Sequence, residues 1–359
     1  MRQASSKASL LLALVFVPLL WSLGQAALAG CNTAAWVALW QDGQTLPAWG
    51  MALWTGLASA ALATAASAWL LSLCAQASAL QALLRHQGWL LAVPHVAFAM
   101  GLVLWIAPSG WLLRLLSPWA TGLQAPPPWP TTQDPWGLGL MAVLALKETP
   151  FLLWAASSHL LRPDVAQRLQ RELQLAASFG YGARAAWWHI VWPQLLPRMA
   201  APLLAVLAYS LTVVDVALVI GPTSPPTLAV LTWQWLQDAS SQENAKGAAA
   251  AWALAATVAL CAGLAWALLQ APLWRRRRTR GLPMEGPAAA RRSAGVGRPM
   301  ASRASAALTS IYLGVLAALL LGSFTGTWPF PDLHPTLWAA AGWRTVAESA
   351  GTVWTTVWV

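Results

Sequence analysis

Residues 173–197 read LQLAASFGYGARAAWWHIVWPQLLP, a polar segment bordered by arginines and set between two long apolar runs. Gln174, Leu175, Ala176 and Ala177 favour a helix, and Gly180 and Gly182 supply the backbone freedom needed to end it. The run ARAAWWHIVW from Ala183 to Trp192 predicts a second helix, which Pro193 and Pro197 are expected to stop because neither has a main-chain donor. Helix, turn and helix together look like a docking loop, the alternative being an ordinary amphipathic loop. Ala176 and Ala177 are small enough to let the first helix sit deep in a partner's groove. Glu172, two residues before Gln174, points about 200° away from it on a helix and faces elsewhere.

The surroundings of this loop place it against a membrane. The chain has 359 residues, of which 58% are hydrophobic and 9% charged, whereas a soluble domain carries about 25% charge. Apolar runs long enough to cross about 30 Å of hydrocarbon occur at about 9–28, 52–78, 89–107, 136–160, 200–220, 247–272 and 306–323, which predicts an all-α membrane protein with seven spans. The net charge of +10 does not indicate nucleic acid, because the basic residues cluster in the short gaps between spans. With the amino terminus inside, every one of the 21 Lys and Arg residues except Arg114, Lys147, Lys246 and Arg344 lies on the inner side. Asp42, Asp134, Asp238, Glu243 and Asp332 then lie outside. The positive-inside rule thus assigns the loop 161–198 to the cytoplasm. Trp21, Trp89, Trp136 and Trp274 fall near span ends, as interfacial anchors do.

Set out by position, Gln174-Leu175-Ala176, Gly180, Ile190 and Pro193 resemble the cytoplasmic coupling loop of ATP-binding-cassette importer permeases. That pattern runs Glu-Ala-Ala, three residues, Gly, nine residues, Ile, any residue, Leu-Pro. The spacing fits without a gap. Gln174 replaces the glutamate, Leu175 the first alanine and Trp192 the leucine. The resemblance implies a type I permease unit of six helices (1–272) in the bacterial inner membrane. Through Gln174, Ala176, Ala177, Gly180, Ile190 and Pro193 it would meet an ATP-binding subunit, and outside it would receive a small solute from a solute-binding protein. The chain carries no glycine-rich phosphate loop ending in Gly-Lys-Ser/Thr, so a partner would bind the ATP and the permease itself needs no cofactor. LKETPF at 146–151 and YSLTVVDVALVIGPTSPPTLAVLTWQW at 209–235 look most like the fused permeases near the thiamine and ferric-iron type.

Fusion would explain the remainder of the chain. Residues 273–304, rich in arginine, glycine, alanine and serine, read as a basic cytoplasmic linker. From 305 the pattern begins again: the span at 306–323 overlays 12–29, Trp343 overlays Trp49 and Ser349 overlays Thr55. Residues 305–359 are therefore expected to start a second permease unit that stops early, since Ala347–Val359 is too short to cross. Near the other terminus, Arg2, Lys7 and Ala27-Leu28-Ala29 also suit a cleaved signal peptide, although the run at 9–28 is long enough to be retained as a span.

Lys147, Glu148 and Asp215 fall inside spans, where each charge costs about 2.5–3.5 kcal/mol on insertion scales. Lys147 and Glu148 splay about 100° apart on a helix, so a pair between Lys147 and Asp215 is expected. These groups either line a translocation path or fix helix register. An ion-coupled secondary transporter using them is the alternative function, and a permease made inactive by truncation is another. Pro222, Pro225 and Pro226 end the fifth span, and 227–238 is expected to be a connecting loop. The five histidines lack metal-ligand spacing, and Cys31, Cys74 and Cys261 form no disulfide framework. The spans contain no paired carboxylates or serine elbow of an enzyme.

Overall fold

The computed structural model describes residues 2–74, 80, 87–270 and 287–358, and these are all-α apart from one isolated bridge between Thr325 and Trp338. Six of the described helical runs are long and apolar enough to cross a membrane: Thr45–Ser72, His95–Leu116, Leu138–Leu160, Ala183–Thr212, Ser241–Leu268 and Met300–Gly322. In chain order the helices are α1 (Arg2–Gly30), α2 (Thr33–Gln41), α3 (Thr45–Ser72), α4 (Gln87–Ala92), α5 (His95–Ile106) and α6 (Trp111–Leu116). They continue with α7 (Leu138–Leu160), α8 (Pro163–Ser178) and α9, the uninterrupted helical run Ala183–Thr212. Last come α10 (Asp215–Ile220), α11 (Leu228–Leu236), α12 (Ser241–Gln270), α13 (Pro287–Gly322), α14 (Ala341–Glu348) and α15 (Ala350–Trp358).

Several expectations are corrected. The third span is broken: α4 ends at Ala92 and α5 begins at His95, because Pro94 offers no donor to continue the ladder. The fifth begins 17 residues earlier than expected, at Ala183 rather than 200, and ends at Thr212, where Val213 turns extended before the short α10. Pro193 and Pro197 do not stop the helix. The ladder passes through a π-helical turn at Trp187–Val191, where Trp192 N–H reaches the Trp187 carbonyl, and a 3₁₀ turn at Leu196–Met199, where Ala200 N–H reaches the Pro197 carbonyl. These changes of register absorb the two missing donors and the ring clashes that would otherwise end it. Residues 228–236 form a helix, not a loop, and its first five residues are buried on all sides because nearly every position is apolar. From Pro287 the expected linker is helical and continues into the last span, while 271–286 and the basic residues Arg85, Arg275–Arg278 and Arg280 lie outside the described residues.

Helices α3 and α7 form the central pair, with Ser67 Oγ donating to the Thr149 carbonyl at 3.3 Å and Trp54 Nε1 to the Trp136 carbonyl at 3.0 Å. At the end of the bundle that carries Arg162, Arg168 and Arg198, Leu70, Leu71, Leu153, Leu160, Trp187 and Val191 make one core cluster. At the other end Lys246 Nζ lies 2.7 Å from both Asp42 and Glu243, tying α12 to the turn after α2. Partial burial alone would raise the Asp42 carboxyl, but the Lys246 ammonium and the Gln44 N–H hold it below the usual carboxylate range.

The helix expected to open a second unit is packed into this bundle. Leu308, Tyr312 and Val315 of α13 join Leu90, Phe98, Leu140, Leu144 and Ile220 in a second core cluster, and Trp105 Nε1 donates to the Gly314 carbonyl at 2.8 Å. Beyond it, the buried guanidinium of Arg114 holds the segment after α13: Nη1 donates to the Pro329 and Asp332 carbonyls at 2.8 and 2.7 Å and Nη2 to Trp328 at 2.9 Å. Its Cζ lies over the Trp328 ring, 4.1 Å from the centroid.

At Gly101 α5 lies close against α13. A Cβ there would meet Val315 Cγ1 at 2.5 Å and the Val315 carbonyl oxygen at 2.6 Å, whereas one at Gly263 would meet nothing within 4 Å. Gly101→Leu is expected to cost about 1–3 kcal/mol by overpacking and to lower the thermal unfolding midpoint of the detergent-purified protein. Gly263→Leu should leave it unchanged, and equal midpoints for the two variants would contradict this packing.

Candidate functional site

Two groups of residues carry chemistry: the elbow between α8 and α9, and a polar cluster within the bundle where helices break. The elbow follows from local sequence. Pro163 and Asp164 start α8 with a preset φ and a charge suited to a helix amino end. Val165, Leu169, Leu173 and Ala176 then recur on one face; the first three pack into the core at the arginine-bearing end, and Ala176 is buried. After Ser178 the helix closes with Tyr181 N–H on the Ala176 carbonyl and Gly180 N–H on the Ala177 carbonyl, both at 3.0 Å, around Gly180 at φ +86°. This pair of bonds is a Schellman cap and requires a residue that tolerates positive φ. Gly182 is in ordinary extended backbone at φ −68°, so only Gly180 uses glycine's freedom.

The sequence-predicted loop residues fall on different sides of the elbow. Gln174 and Ala177 are exposed, but Ala176 is buried because it continues the Val165–Leu169–Leu173 stripe, and so cannot enter a partner's groove. Ile190 and Pro193 are half-buried along a groove of about 850 Å³ between α8 and α9, together with Arg168, Glu172, His189 and Gln194. What the spacing did not reveal is the apolar tip: Leu175 and Phe179 are 60% and 59% exposed beside the turn. Nor did it reveal the clasp closing the groove. Gln194 Nε2 donates to Glu172 Oε2 at 2.7 Å, Arg168 Nη2 donates to Gln194 Oε1 at 2.6 Å, and Arg168 Nε lies 3.4 Å from Glu172 Oε1. Glu172 thus faces α9, away from Gln174. Arg162, Arg168, Arg171, Arg184 and Arg198 are all exposed around this end.

The second group lies along the two helix breaks. Lys147 on α7 is buried, and its Nζ donates to the Leu90 and Val93 carbonyls at 3.0 and 2.7 Å, near 5.4 Å from the Tyr312 ring centroid. Those carbonyls close α4, where Pro94 leaves the ladder without a donor, and in a membrane an orphan carbonyl must be satisfied internally. The expected pair between Lys147 and Asp215 does not form. Asp215 is exposed at the start of α10 and accepts from the neighbouring Val216 N–H at 2.9 Å. Glu148 points the other way round α7, and His95 Nε2 lies 3.0 Å from its Oε1. The His95 ring in turn packs on Tyr209 of α9, with centroids 4.8 Å apart. Lys147 and Glu148 therefore bind different partners, as their splay requires.

No family model matches the chain. It is 40% identical over 195 residues to the protein named Inner membrane ABC transporter permease protein YnjC of Escherichia coli (strain K12), an alignment covering 53% of this chain and 34% of that protein. The chain therefore spans about a third of the length of this relative.

Lys147→Met removes the donor from two buried carbonyls, each of which costs about 1–3 kcal/mol when left unpaired. The variant is expected to unfold at a lower temperature in detergent than the parent, while Asp215→Asn should match the parent. An unchanged midpoint for Lys147→Met would show that capping α4 contributes nothing to stability.

Proposed function

We propose that this chain is a transmembrane permease subunit of an ATP-driven importer of the bacterial inner membrane, moving a small solute inward. A separate ATP-binding subunit docks on the elbow from the cytoplasm, and a solute-binding protein delivers cargo on the other face. The observation that carries this reading is the exposed pair Leu175 and Phe179 beside the Gly180 cap, inside the stretch whose spacing matches the coupling loop. An apolar pair left in water on a polar elbow, ringed by arginines, is a surface made for a partner. The name of the E. coli relative supports the same reading, and so does the continuity of α9 from this elbow through the bundle. The two-unit arrangement, with α13 opening a second permease unit, belongs to the same proposal.

Within it, Gln174 and Ala177 flank the tip and contact the ATPase, Gly180 sets the turn, and Ile190 and Pro193 shape the groove behind it. The membrane-embedded charges serve the solute path and helix register. A transporter driven by an ion gradient instead would depend on Lys147, Glu148 and Asp215 and not on the elbow.

The test is co-purification of the nucleotide-binding subunit with the tagged chain from native membranes. Phe179→Asp, which keeps the backbone, and Gly180→Val, which forces a β-branched residue to positive φ, are each expected to reduce recovery about tenfold or more, the equivalent of about 1.4 kcal/mol. Lys147→Ala retained in the membrane should still recover the subunit. Normal recovery with Phe179→Asp and Gly180→Val, alongside loss with Lys147→Ala, would overturn the reading in favour of ion coupling.

A further inference from the structure

At the end of the bundle opposite the elbow, two membrane-spanning runs finish side by side and leave a space between them. Trp111 and Leu115 of α6, Leu321 at the end of α13, and Leu333, His334 and Trp338 of the segment beyond it enclose a groove of about 330 Å³. Its lining includes no Asp, Glu, Lys or Arg. The far wall is built, not loose chain. The segment after α13 turns back through the bridge between Thr325 and Trp338, with Gly326 N–H on the Leu337 carbonyl and Ala339 N–H on the Phe324 carbonyl, both at 2.9 Å. Arg114, on the same helix as Trp111 and Leu115, fixes that segment through the carbonyls of Trp328, Pro329 and Asp332. Trp111 meets the Trp328 ring edge-on, with centroids 4.8 Å apart. The walls are therefore held apart, and an apolar space left empty forfeits the dispersion contacts of its lining.

Where the groove opens identifies what fills it. Leu115 and Leu321, 43% and 41% exposed, belong to the runs His95–Leu116 and Met300–Gly322, which are long and apolar enough to cross a membrane. Leu112, Leu116, Leu313 and Leu320 of the same runs are exposed too, so the groove continues a surface that a bilayer coats with hydrocarbon. Tryptophan marks its rim. Trp338 is exposed, and the exposed Trp119 is tied to the end of α6, its Nε1 donating to the Leu115 carbonyl at 2.9 Å. An indole, apolar in body and polar at one end, suits the boundary between lipid tails and headgroups.

We propose that this groove is a lipid site, holding one acyl chain of a phospholipid whose headgroup end lies beside His334, Trp119 and Trp338. A hydrocarbon chain needs only contact with these walls. An unstructured peptide would bring main-chain N–H and C=O groups to a lining with little to bond them. The proposal requires only that the chain spans a bilayer, and so it stands or falls apart from the permease reading.

The test is photo-crosslinking in vesicles of phosphatidylethanolamine and phosphatidylglycerol that carry a trace of phosphatidylethanolamine with a diazirine in one acyl chain. Adducts at Leu115 and Trp338 are compared with those at Leu260 and Leu264, which are exposed on α12 and lie outside the groove. The groove positions are expected to be labelled about fivefold more, the equivalent of about 1 kcal/mol. That excess should disappear in Leu321→Trp and, separately, in Leu333→Trp, which fill the space, while α12 labelling stays the same. Equal labelling of groove and α12 would overturn the proposal by showing ordinary bilayer contact. Absence of groove labelling would overturn it in favour of a protein occupant, either another segment or a second copy, and an excess untouched by both fillers would also contradict it. If Leu321→Trp fails to fold, Leu333→Trp in the exposed segment supplies the comparison, and the labelling ratio of the unsubstituted chain decides even without either variant.

Discussion

The continuous helical run of α9 is the constraint on which the rest of the structure depends. It runs from Ala183, beside the Gly180 cap, to Thr212, beside the polar cluster. At 1.5 Å per residue the 30 residues of this run reach about 45 Å, enough to join the elbow to the far part of the bundle in one element. Of its three prolines, Pro193 and Pro197 are accommodated by changes of ladder register at Trp187–Val191 and Leu196–Met199, and Pro202 falls in the first turn after them. A helix stopped at Pro193 would have left the elbow attached only by loose chain.

The elbow is held to this rod by two independent means. Core packing of Val165, Leu169 and Leu173 fixes the inner face of α8, and the clasp of Arg168, Glu172 and Gln194 fixes its distance from α9. The clasp is partly exposed, and an exposed ion pair alone contributes little, about 0–1 kcal/mol. Its role is geometric: it keeps α8 from rolling on α9, so that Leu175 and Phe179 stay outward. At the opposite end of the bundle Arg114 plays a comparable part, binding the segment after α13 through three of its carbonyls.

What was legible in the sequence was what depends on near neighbours. Apolar run length located six of the expected spans, though not the bounds of the third and fifth, and glycine chemistry located the Gly180 turn. The stripe that buries Ala176 is legible too, because Val165, Leu169, Leu173 and Ala176 keep helical spacing. What was not legible depends on chain segments far apart. Lys147 meets Leu90 and Val93 only because α4 breaks beside α7, and charge alone, which points to Asp215, carries no signal of main-chain carbonyls left free nearby. The fate of Pro193 and Pro197 could not be read either, since proline tolerance depends on whether the ladder can change register within a packed bundle. Arg114 looked like an ordinary external charge until the Trp328–Asp332 segment closed over it.

The central claim is that the elbow faces the compartment where ATP is found. The direct measurement is labelling of Ser178→Cys, in a background with Cys31, Cys74 and Cys261 replaced by serine, with a membrane-impermeant maleimide. Right-side-out and inside-out membrane vesicles are compared. Labelling confined to inside-out vesicles is the predicted result. Labelling of right-side-out vesicles would put the elbow on the outer face and contradict the account.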